Sequence, residues 1–493
     1  MSAFYVLGID QSTQGTKGIL ADDKGHIIGR ADKAHDQIIN DKGWVSHNAG
    51  QIWENSLQVL RDVIEKTGVD RGKILCMGIT NQRETTVAWE KETGKPLADA
   101  VVWQCSRASE LCARIEETNP GFAAMVRERT GIYLSPFFPA SKMAWLSENS
   151  DAVREAAKKG NLAFGTIDAY LLYRFTGGTS FKTDFSNASR TQLFNLQTLS
   201  WDEEICRTFG IQREWLPEVA DSDACFGMTD LDGFLSSPIP IHSMLGDSHG
   251  ALFGHNCRKH GDIKTTYGTG SSIMMNIGGQ FVLSSHGLAT SLAWKTGGKV
   301  QYVLEGNINY TGAVITWLKN DLQLIGSPGE TGTLAKEANP EDGTFLVPAF
   351  SGLGAPWWNN DARAVIWGMS RTTGKKEVVK AACESIAYQI RDVVDAMRSD
   401  TCLEIGSLCV DGGPTKNDYL MQFQSDITNA RIRIPNVEEL SVLGTVYNAG
   451  IAAGFYNEEV FDALSYQEYS PKMDALTRER KIAGWKEAVS KLL

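Results

Sequence analysis

The sequence predicts an α/β protein of two domains, each with a mixed sheet flanked by helices. Three glycine-rich turns lead to this prediction, because each follows an apolar strand: residues 11–16, 268–271 and 411–415. The first two turns are each followed by a second strand, which is typical of a β-hairpin. Two similar hairpins in a chain of 493 residues, too long for one ordinary core, indicate a structural duplication.

The tips of the two hairpins are suited to phosphate groups. Glycine lets backbone N–H groups approach an anion, and hydroxyl residues such as Thr13 and Thr269 add further donors. Asp10, at the end of the first strand, is a suitable ligand for a hard cation such as Mg²⁺. Purely structural turns remain the alternative. The P-loop pattern GxxxxGK[ST] is absent, so a P-loop enzyme is not expected.

Two phosphate hairpins and a third glycine turn for a nucleotide form an arrangement that resembles the actin, Hsp70 and sugar-kinase superfamily. The resemblance implies two actin-like (ribonuclease H-like) domains with an ATP cleft between them. We expect the division near residue 250, with the substrate on residues 1–250 and ATP on residues 251–493.

Composition narrows the class of protein. A net charge of −11 argues against nucleic acid or an anionic membrane as a partner. The nine cysteines contain no CxxC pair and are expected to be reduced thiols. We find no secretory segment and no apolar run of membrane-spanning length, so a cytoplasmic protein is expected.

In the first half, a meander is expected to precede alternating helices and strands. A third strand follows the first hairpin, and apolar residues at helical spacing predict a helix over residues 49–66, ended by Gly68. The other expected elements are strands at 74–79 and 100–103, a loop and helix at 131–149, a helix at 164–173, a hydroxyl-rich loop at 183–190, and helix and loop segments at 202–245.

Candidate site residues follow the strands of this half. Arg83 and Glu84 lie just past a strand's carboxyl end, where open α/β sheets bind ligands, although a solvated turn has the same composition. Trp103 ends a short strand, and a position in the core is the default expectation for a lone tryptophan. Asp247 lies where the halves meet and could face a substrate between them. His249 follows it, but we expect the start of a packed helix there rather than an Asp–His dyad.

The second half repeats the pattern after its hairpin. Helices are expected at 307–322, 377–397 and 418–428, and a charged helix at 466–493. The helix at 418–428 begins just after the turn at Gly412 and Gly413, so its free N–H groups are placed to hold a nucleotide.

Longer blocks of sequence resemble the FGGY carbohydrate kinases. Residues 137–149, FFPASKMAWLSEN, are similar to the first family signature, and residues 364–384 to the second. The blocks GITNQRETT, VVWQC, TDFSNASRT, TYGTG and DGG extend the resemblance, to the glycerol kinases in particular, over nearly the whole chain.

This resemblance implies a role for each candidate residue. Arg83, Glu84 and Trp103 would bind the substrate, and Asp247 would be the general base. Asp10 would organise Mg²⁺. The residues implied for ATP are Thr13, Gln14, Gly268, Thr269, Gly312, Gly412, Gly413 and Asn417.

Three departures from the glycerol kinases affect the expected substrate. Phe137, Ser248 and Ser272 stand where those kinases have tyrosine, glutamine and phenylalanine. Because these changes open a three-carbon pocket, we predict phosphorylation of a terminal hydroxyl on a four- or five-carbon polyol or ketose. Glycerol is the alternative substrate, and an actin- or Hsp70-like nucleotide switch is a remote one. A homodimer or homotetramer is expected.

Overall fold

The computed structural model describes residues 3–493 of the chain. The strands of the first half are β1 (Tyr5–Gln11), β2 (Gly15–Ala21), β3 (Ile27–Ala34), β4 (Ile38–Ile39), β5 (Val45–His47), β6 (Ile74–Asn81), β7 (Thr86–Glu90), β8 (Ala100–Val101), β9 (Leu162–Thr166), β10 (Lys182–Asp184), β11 (Phe194–Asn195), β12 (Ser200–Trp201), β13 (Glu218–Ala220), β14 (Gly227–Thr229) and β15 (Ile239–Gly246). Its helices are α1 (Ala49–Thr67), α2 (Ser109–Thr118), α3 (Phe122–Thr130), α4 (Pro139–Asn149), α5 (Asp151–Lys158), α6 (Ile167–Phe175), α7 (Phe185–Ala188), α8 (Glu203–Thr208) and α9 (Asp247–Gly254).

The second half follows the same alternation. Its strands are β16 (Ile263–Tyr267), β17 (Ser271–Asn276), β18 (Ala289–Thr296), β19 (Lys299–Ile308), β20 (Phe345–Val347), β21 (Val365–Trp367), β22 (Ser407–Gly412), β23 (Arg431–Pro435) and β24 (Tyr466–Tyr469). Its helices are α10 (Gly312–Asn320), α11 (Glu330–Glu337), α12 (Lys375–Thr401), α13 (Asp418–Thr428), α14 (Leu440–Ala452) and α15 (Ala475–Ser490).

The two main sheets share an arrangement of six strands, to which the second sheet adds β18 at one edge, and this similarity confirms the predicted duplication and fold class. The first runs β14-β15-β6-β1-β2-β3 and the second β18-β19-β17-β16-β22-β23-β24. In each, a hairpin (β1–β2 or β16–β17) lies between an antiparallel strand on one side and two parallel strands on the other. Both predicted hairpins are therefore present, each at the centre of its sheet.

Helix α14 comes from the second half of the chain but packs against the first sheet. A Cβ atom on Gly8 of β1 would lie 2.4 Å from Val446, and one on Gly444 would lie 1.9 Å from the carbonyl oxygen of Gly250 in α9. Glycine at these points lets helix and strand, and then helix and helix, approach closely. The proposed division at residue 250 stays a prediction, and α9 runs across that position.

Several local predictions were wrong. Residues 162–166 form strand β9 before α6 begins, whereas a helix was expected from residue 164. The strand is buried at every position, so it lacks the alternation that distinguishes a strand from a helix. Strand β8 ends at Val101, so Trp103 lies beyond it, and α10 begins at Gly312 because residues 307–308 complete β19.

Two further segments differ for other reasons. The expected loop at 183–190 is a buried turn and short helix, in which Asp184 accepts hydrogen bonds from the backbone N–H groups of Ser186 (2.9 Å) and Asn187 (3.0 Å). Strand β15 was missed because Pro240 argues against a central strand. Pro240 is opposite only Met228 of the edge strand β14, and pairing with β6 begins at Ile241.

Two predictions concern the chain as a whole, namely reduced cysteines and the lack of a membrane-spanning segment. All nine cysteines are free thiols. Across residues 3–493, no helix combines the length and the apolar character needed to cross a membrane.

Candidate active site

The predicted substrate residues meet the second hairpin in one cavity of about 520 Å³. Arg83 and Glu84 follow β6, Asp247 begins α9 after β15, and Thr269 lies at the tip between β16 and β17. Residues from both halves of the chain therefore line the same space. The predicted residues on its walls are Thr13, Arg83, Glu84, Trp103, Phe137, Asp247, Ser248, Gly268, Thr269 and Ser272.

Asp247 is the partly exposed carboxylate of this cavity. Its side chain is 36% exposed, and its Oδ1 lies 3.2 Å from Nε of Arg83. The backbone N–H of Ser248 donates to the same oxygen at 2.6 Å. A carboxylate held in place on one oxygen and open to the cavity is suited to accept a proton from a bound hydroxyl.

Behind Asp247 lies a buried chain of four alternating charges. The Arg83 guanidinium donates to both carboxylate oxygens of Glu305, at 3.1 and 2.8 Å. Glu305 also lies 2.9 Å from Nη1 of Arg190, whose Nε donates to Glu84 at 2.6 Å. Burial would raise the pKa of Glu305, but the two guanidinium groups hold it well below its ordinary value. Glu305 therefore remains ionised and holds Arg83 in place.

Arg190 and Glu305 were not predicted as site residues. Arg190 is the second-last residue of the block TDFSNASRT, which was noted only for its family resemblance. Glu305 is the one acidic residue in the otherwise apolar or uncharged run at 302–308, YVLEGNI, and a buried acid needs a partner. That signal was available, but the sequence does not identify the partner.

The backbone of Glu84 supports its placement in the site. Its φ angle of +62° lies in the left-handed region, which is uncommon for residues other than glycine. The conformation directs the chain after β6 so that Arg83 and Glu84 both reach the buried charges.

An aromatic wall connects the first hairpin to this cavity. The indole Nε1 of Trp103 donates to Oγ1 of Thr13 at 2.9 Å, and its ring lies 5.4 Å from that of Phe137. The buried Lys142 donates to the carbonyl of Phe137, and burial lowers the pKa of Lys142 to about 7. Hydrogen bonds therefore hold both ends of the aromatic wall, at Trp103 and at Phe137.

Asp10 lies buried in β1, close enough to Asp247 for the two charges to interact. Its pKa is raised to about 7, first by burial and then by the charge of Asp247. Its Oδ1 atom has no hydrogen-bond partner among the described residues. Over residues 3–493, no group of three or more His, Cys, Asp or Glu side chains is arranged to hold a metal ion. An unpaired buried carboxylate oxygen fits a cation whose other ligands are not protein side chains.

A second cavity of about 670 Å³ contains the predicted nucleoside residues Gly312, Gly413 and Asn417. Apolar side chains such as Ile315 and Ile386 also line it. The Gly312 N–H donates to the carbonyl of Gly268 at 2.9 Å, so this cavity is joined directly to the tip of the second hairpin. Asn417 caps α13 by accepting from the N–H of Leu420.

Two predicted residues occupy different positions. Gln14 is exposed at the tip of the first hairpin, and neither Gln14 nor Gly412 is among the residues that line the two cavities. Gly412 ends β22 with φ +101°, and a Cβ atom there would lie 2.0 Å from the carbonyl of Tyr267. Its role is to shape the turn that places Gly413.

His249 forms no dyad with Asp247. It is buried in α9, and its two ring nitrogens have no partners among residues 3–493. Burial, followed by the charge of Arg83, lowers its pKa well below the ordinary value, so the ring is neutral. The expected packed helix is confirmed.

A duplicated ribonuclease H-like fold, with two cavities joined at one hairpin, defines a two-domain phosphotransferase. Models of the FGGY family of carbohydrate kinases match residues 5–254 (N-terminal domain) and 263–453 (C-terminal domain). The chain belongs to the FGGY family of carbohydrate kinases.

Individual relatives match over the full length. Glycerol kinase 1 from Thermotoga maritima is 46% identical over 492 residues, 99% of both chains. Glycerol kinase from Fusobacterium nucleatum is 42% identical over 490 residues, 99% of this chain and 98% of that one. The solved structure of Plasmodium falciparum glycerol kinase with ADP has a TM-score of 0.93 at 35% identity and covers 100% of this chain and 99% of that one. The protein is therefore an ATP-dependent phosphotransferase that acts on an alcohol group, which argues against the nucleotide-switch alternative.

Proposed function

We propose that this protein transfers the γ-phosphoryl group of ATP to a terminal hydroxyl of glycerol. The observation that supports this is one cavity in which Asp247, Arg83 and Trp103 face the second hairpin. The full-length similarity to glycerol kinases favours glycerol over the four- or five-carbon substrate that was predicted first.

In the proposed reaction, Asp247 acts as general base. The glycerol oxygen forms a bond to the γ-phosphorus while the bond from that phosphorus to the bridging oxygen of ADP breaks. The hydroxyl proton passes to the Asp247 carboxylate, and ADP leaves. Base assistance of this kind contributes about 10²–10⁴-fold to the rate. Arg83, held by Glu305, orients Asp247 through its contact at 3.2 Å.

Trp103 and Glu84 are proposed to position the substrate. The indole ring offers an apolar face to the carbon chain, and the carboxylate of Glu84 accepts hydrogen bonds from hydroxyl groups. Both lie in the cavity with Asp247. Because binding already holds the reacting hydroxyl close to the base, the entropy lost in bringing the two groups together no longer adds to the activation free energy of the chemical step.

Mg²⁺ is proposed to bind at Asp10, together with the phosphates and water. When bound, the ion neutralises charge that develops on the phosphoryl oxygens. Asp10 supplies its unpaired Oδ1, and occupancy by a cation would keep this carboxyl ionised despite its raised pKa.

The nucleotide is proposed to lie between the hairpin tip and α13. The backbone at Gly268 and Thr269, with the first tip at Thr13, would hold the phosphates, and the cavity of about 670 Å³ would hold the nucleoside. The start of α13, just after Gly413, presents N–H groups to this cavity.

The test is a coupled measurement of ADP release from MgATP with glycerol, and identification of the phosphate ester by ³¹P NMR. We expect glycerol-dependent ADP release and one monoester product. ADP release that is independent of any added alcohol would contradict the proposal.

A longer polyol or ketose is the second candidate substrate. Ser248 and Ser272 line the cavity with small polar side chains, which leaves room beyond a three-carbon chain. The cytoplasmic location and the homodimer or homotetramer stay predictions.

A further inference from the structure

Two cysteines from different elements lie side by side in the core. Cys257 follows the end of α9, and Cys409 lies in β22. The Cys257 thiol donates a hydrogen bond to the sulfur of Cys409, and the two residues are only 2% and 5% exposed. Neither residue lines the cavities that contain Asp247 and Gly413.

A second contact joins the same two elements. Residues two apart on a strand point to the same face, so Cys409 and Asp411 share one side of β22. His255, two residues before Cys257, lies with Nε2 at 2.8 Å from Oδ2 of Asp411. The His255 ring also contacts Cys409. Two residues from each element are therefore engaged, and they hold the two sulfurs next to each other.

Cationic groups distinguish Cys409 from other buried thiols. The hydrogen bond from Cys257 lowers the pKa of Cys409 well below its ordinary value. His255 and the charge of Arg433 lower this pKa further, against the effect of burial. By contrast, burial raises the pKa of the Cys76 thiol to about 12. A thiolate beside cations is the reactive form of cysteine, whereas a thiol in apolar surroundings is inert.

His255 is itself held as a cation. Burial would lower its pKa, but hydrogen bonds with Asp411 and with Cys409 raise the pKa to about 9. The imidazolium therefore contacts both a carboxylate and a thiolate, and its charge stabilises each of them.

Arg433 offers a route from solvent to Cys409. Its side chain is 33% exposed, and its Nε donates to the exposed Glu468 at 3.1 Å. Nη1 of the same guanidinium lies 4.0 Å from Sγ of Cys409. A small neutral oxidant such as hydrogen peroxide therefore needs to pass only one side chain to reach this sulfur.

We propose that Cys257 and Cys409 form a redox-active dithiol, which a hydroperoxide converts to a disulfide that weakens nucleotide binding. The inference goes beyond the proposed phosphoryl transfer and does not depend on the identity of the alcohol. A disulfide of this kind would be transient and regulatory, since structural disulfides are rare in reducing compartments.

The proposed oxidation has two steps. First, the Cys409 sulfur attacks one oxygen of hydrogen peroxide, so that an S–O bond forms and the O–O bond breaks. The released hydroxide takes up the proton that the Cys409 thiol had lost. Next, the Cys257 sulfur attacks the Cys409 sulfur, the S–S bond forms, the S–O bond breaks, and the leaving hydroxide takes the Cys257 proton. The two sulfurs lose two electrons in total, and the peroxide is reduced to two molecules of water.

The strand that carries Cys409 leads directly to the proposed nucleotide site. Asp411 accepts a hydrogen bond from Thr266 at 3.1 Å, and Thr266 lines the cavity of about 520 Å³. Gly413, two residues further on, lines the nucleoside cavity. A covalent bond requires the sulfurs to approach more closely than a hydrogen bond does, and it removes the negative charge of Cys409. Both changes act on β22 just before the turn at Gly413.

The test treats the reduced protein with a few equivalents of hydrogen peroxide, blocks the remaining thiols and maps linked peptides by mass spectrometry. We expect one linked pair, Cys257 with Cys409, which dithiothreitol removes. Calorimetry is expected to show that ADP binds at least about fivefold more weakly to the oxidised protein, and that reduction restores the affinity.

Three variants separate the two steps from oxidation elsewhere. Cys257→Ser should stop at the sulfenic acid of Cys409, which dimedone traps, while Cys409→Ser should form neither this adduct nor the link. Peroxide should change the ADP affinity of either variant less than about twofold. The matched control combines Cys225→Ser with Cys402→Ser, which removes the two exposed thiols, and should form the link as wild type does. Thermal unfolding checks each variant, and the wild-type peptide map decides the proposal even if a serine variant does not fold.

Three outcomes would overturn the proposal. The first is a peroxide-treated wild type without the Cys257–Cys409 link. The second is a link that leaves ADP affinity unchanged, because the disulfide would then have no effect on the nucleotide. The third is an equal loss of affinity in wild type and in Cys409→Ser, because another oxidised residue would then be the cause. No alcohol is present in these measurements, so a failure of glycerol phosphorylation would not alter them.

Discussion

Arg83 and Glu305 form a two-point ion pair between residues that are 222 positions apart in the chain. Arg83 follows β6 of the first sheet, and Glu305 lies in β19 of the second. Arg83 also contacts Asp247. The pair thus connects the two halves at the point where the proposed base is held.

Removing the charge of Glu305 is expected to destabilise the protein. Glu305→Gln would leave Arg83 and Arg190 buried without their shared partner, which typically costs about 3–5 kcal/mol. Urea unfolding measures this change. The control is Glu468→Gln, an exposed partner of Arg433, which is expected to cost less than about 1 kcal/mol. If both variants lowered the free energy of unfolding by the same amount, the buried ion pair would stabilise the protein no more than an exposed one.

Asp247→Asn is expected to lower kcat at least about 10²-fold, because the amide keeps the side-chain size but accepts no proton. Affinity for ADP should change less than about twofold, since Asp247 lines the substrate cavity and not the nucleoside cavity. Steady-state kinetics and calorimetry measure the two quantities, with Asp41→Asn on the exposed surface as control. Near wild-type turnover would mean that another group takes the proton.

Asp10 is expected to make stability depend on pH in the absence of cations and nucleotide. Its pKa is raised from 3.8 to about 7, so the folded state keeps a proton that the unfolded state has already lost. Wild-type stability should therefore fall as pH rises through this window, while Asp10→Asn lacks the effect. Relative to that of wild type, the free energy of unfolding of the variant should increase between about pH 4 and about pH 7, the interval bounded by the unfolded and folded pKa values. A difference that stays constant with pH would rule out a raised pKa.

Asp10→Asn should also weaken the response to Mg²⁺. An amide is a poorer ligand than a carboxylate for a hard cation. Titrating MgCl₂ at constant ATP should require a higher concentration for half-maximal rate in the variant. If the MgCl₂ concentration for half-maximal rate is the same in the variant and in wild type, Asp10 is not a ligand of the ion.

Gly413→Val is expected to weaken ADP binding at least about tenfold without unfolding the protein. A Cβ atom at Gly413 meets nothing within 4 Å, and the residue lines the nucleoside cavity, so the new side chain would occupy space needed by the ligand. Gly406→Val is the matched control, because its Cβ also meets nothing and it lies outside that cavity. Calorimetry and thermal unfolding together measure the effect. Equal ADP affinity in both variants would indicate that the nucleoside does not bind in the cavity that contains Gly413.

Local sequence signals were sufficient for much of the fold. The helix beginning at Ala49 and ending before Gly68, and the helix Asp418–Thr428, were predicted nearly to the residue because apolar spacing and end signals occur within one segment. The two hairpins were also evident, since strand, tip and strand are contiguous. Strands β9 and β15 were missed because their identity depends on burial and on neighbouring strands.

By itself the sequence determined the fold class, the two hairpins and three candidate site residues. Arg83 and Glu84 follow the end of a predicted strand, and Asp247 lies where the two halves of the chain meet. Only the tertiary structure brought Glu305 and Arg190 into contact with Arg83 and Glu84. Such contacts depend on how two sheets, a hundred residues or more apart in the chain, face each other. No spacing within one segment encodes that relationship, so the buried ion pairs behind Asp247 could be recognised only in three dimensions.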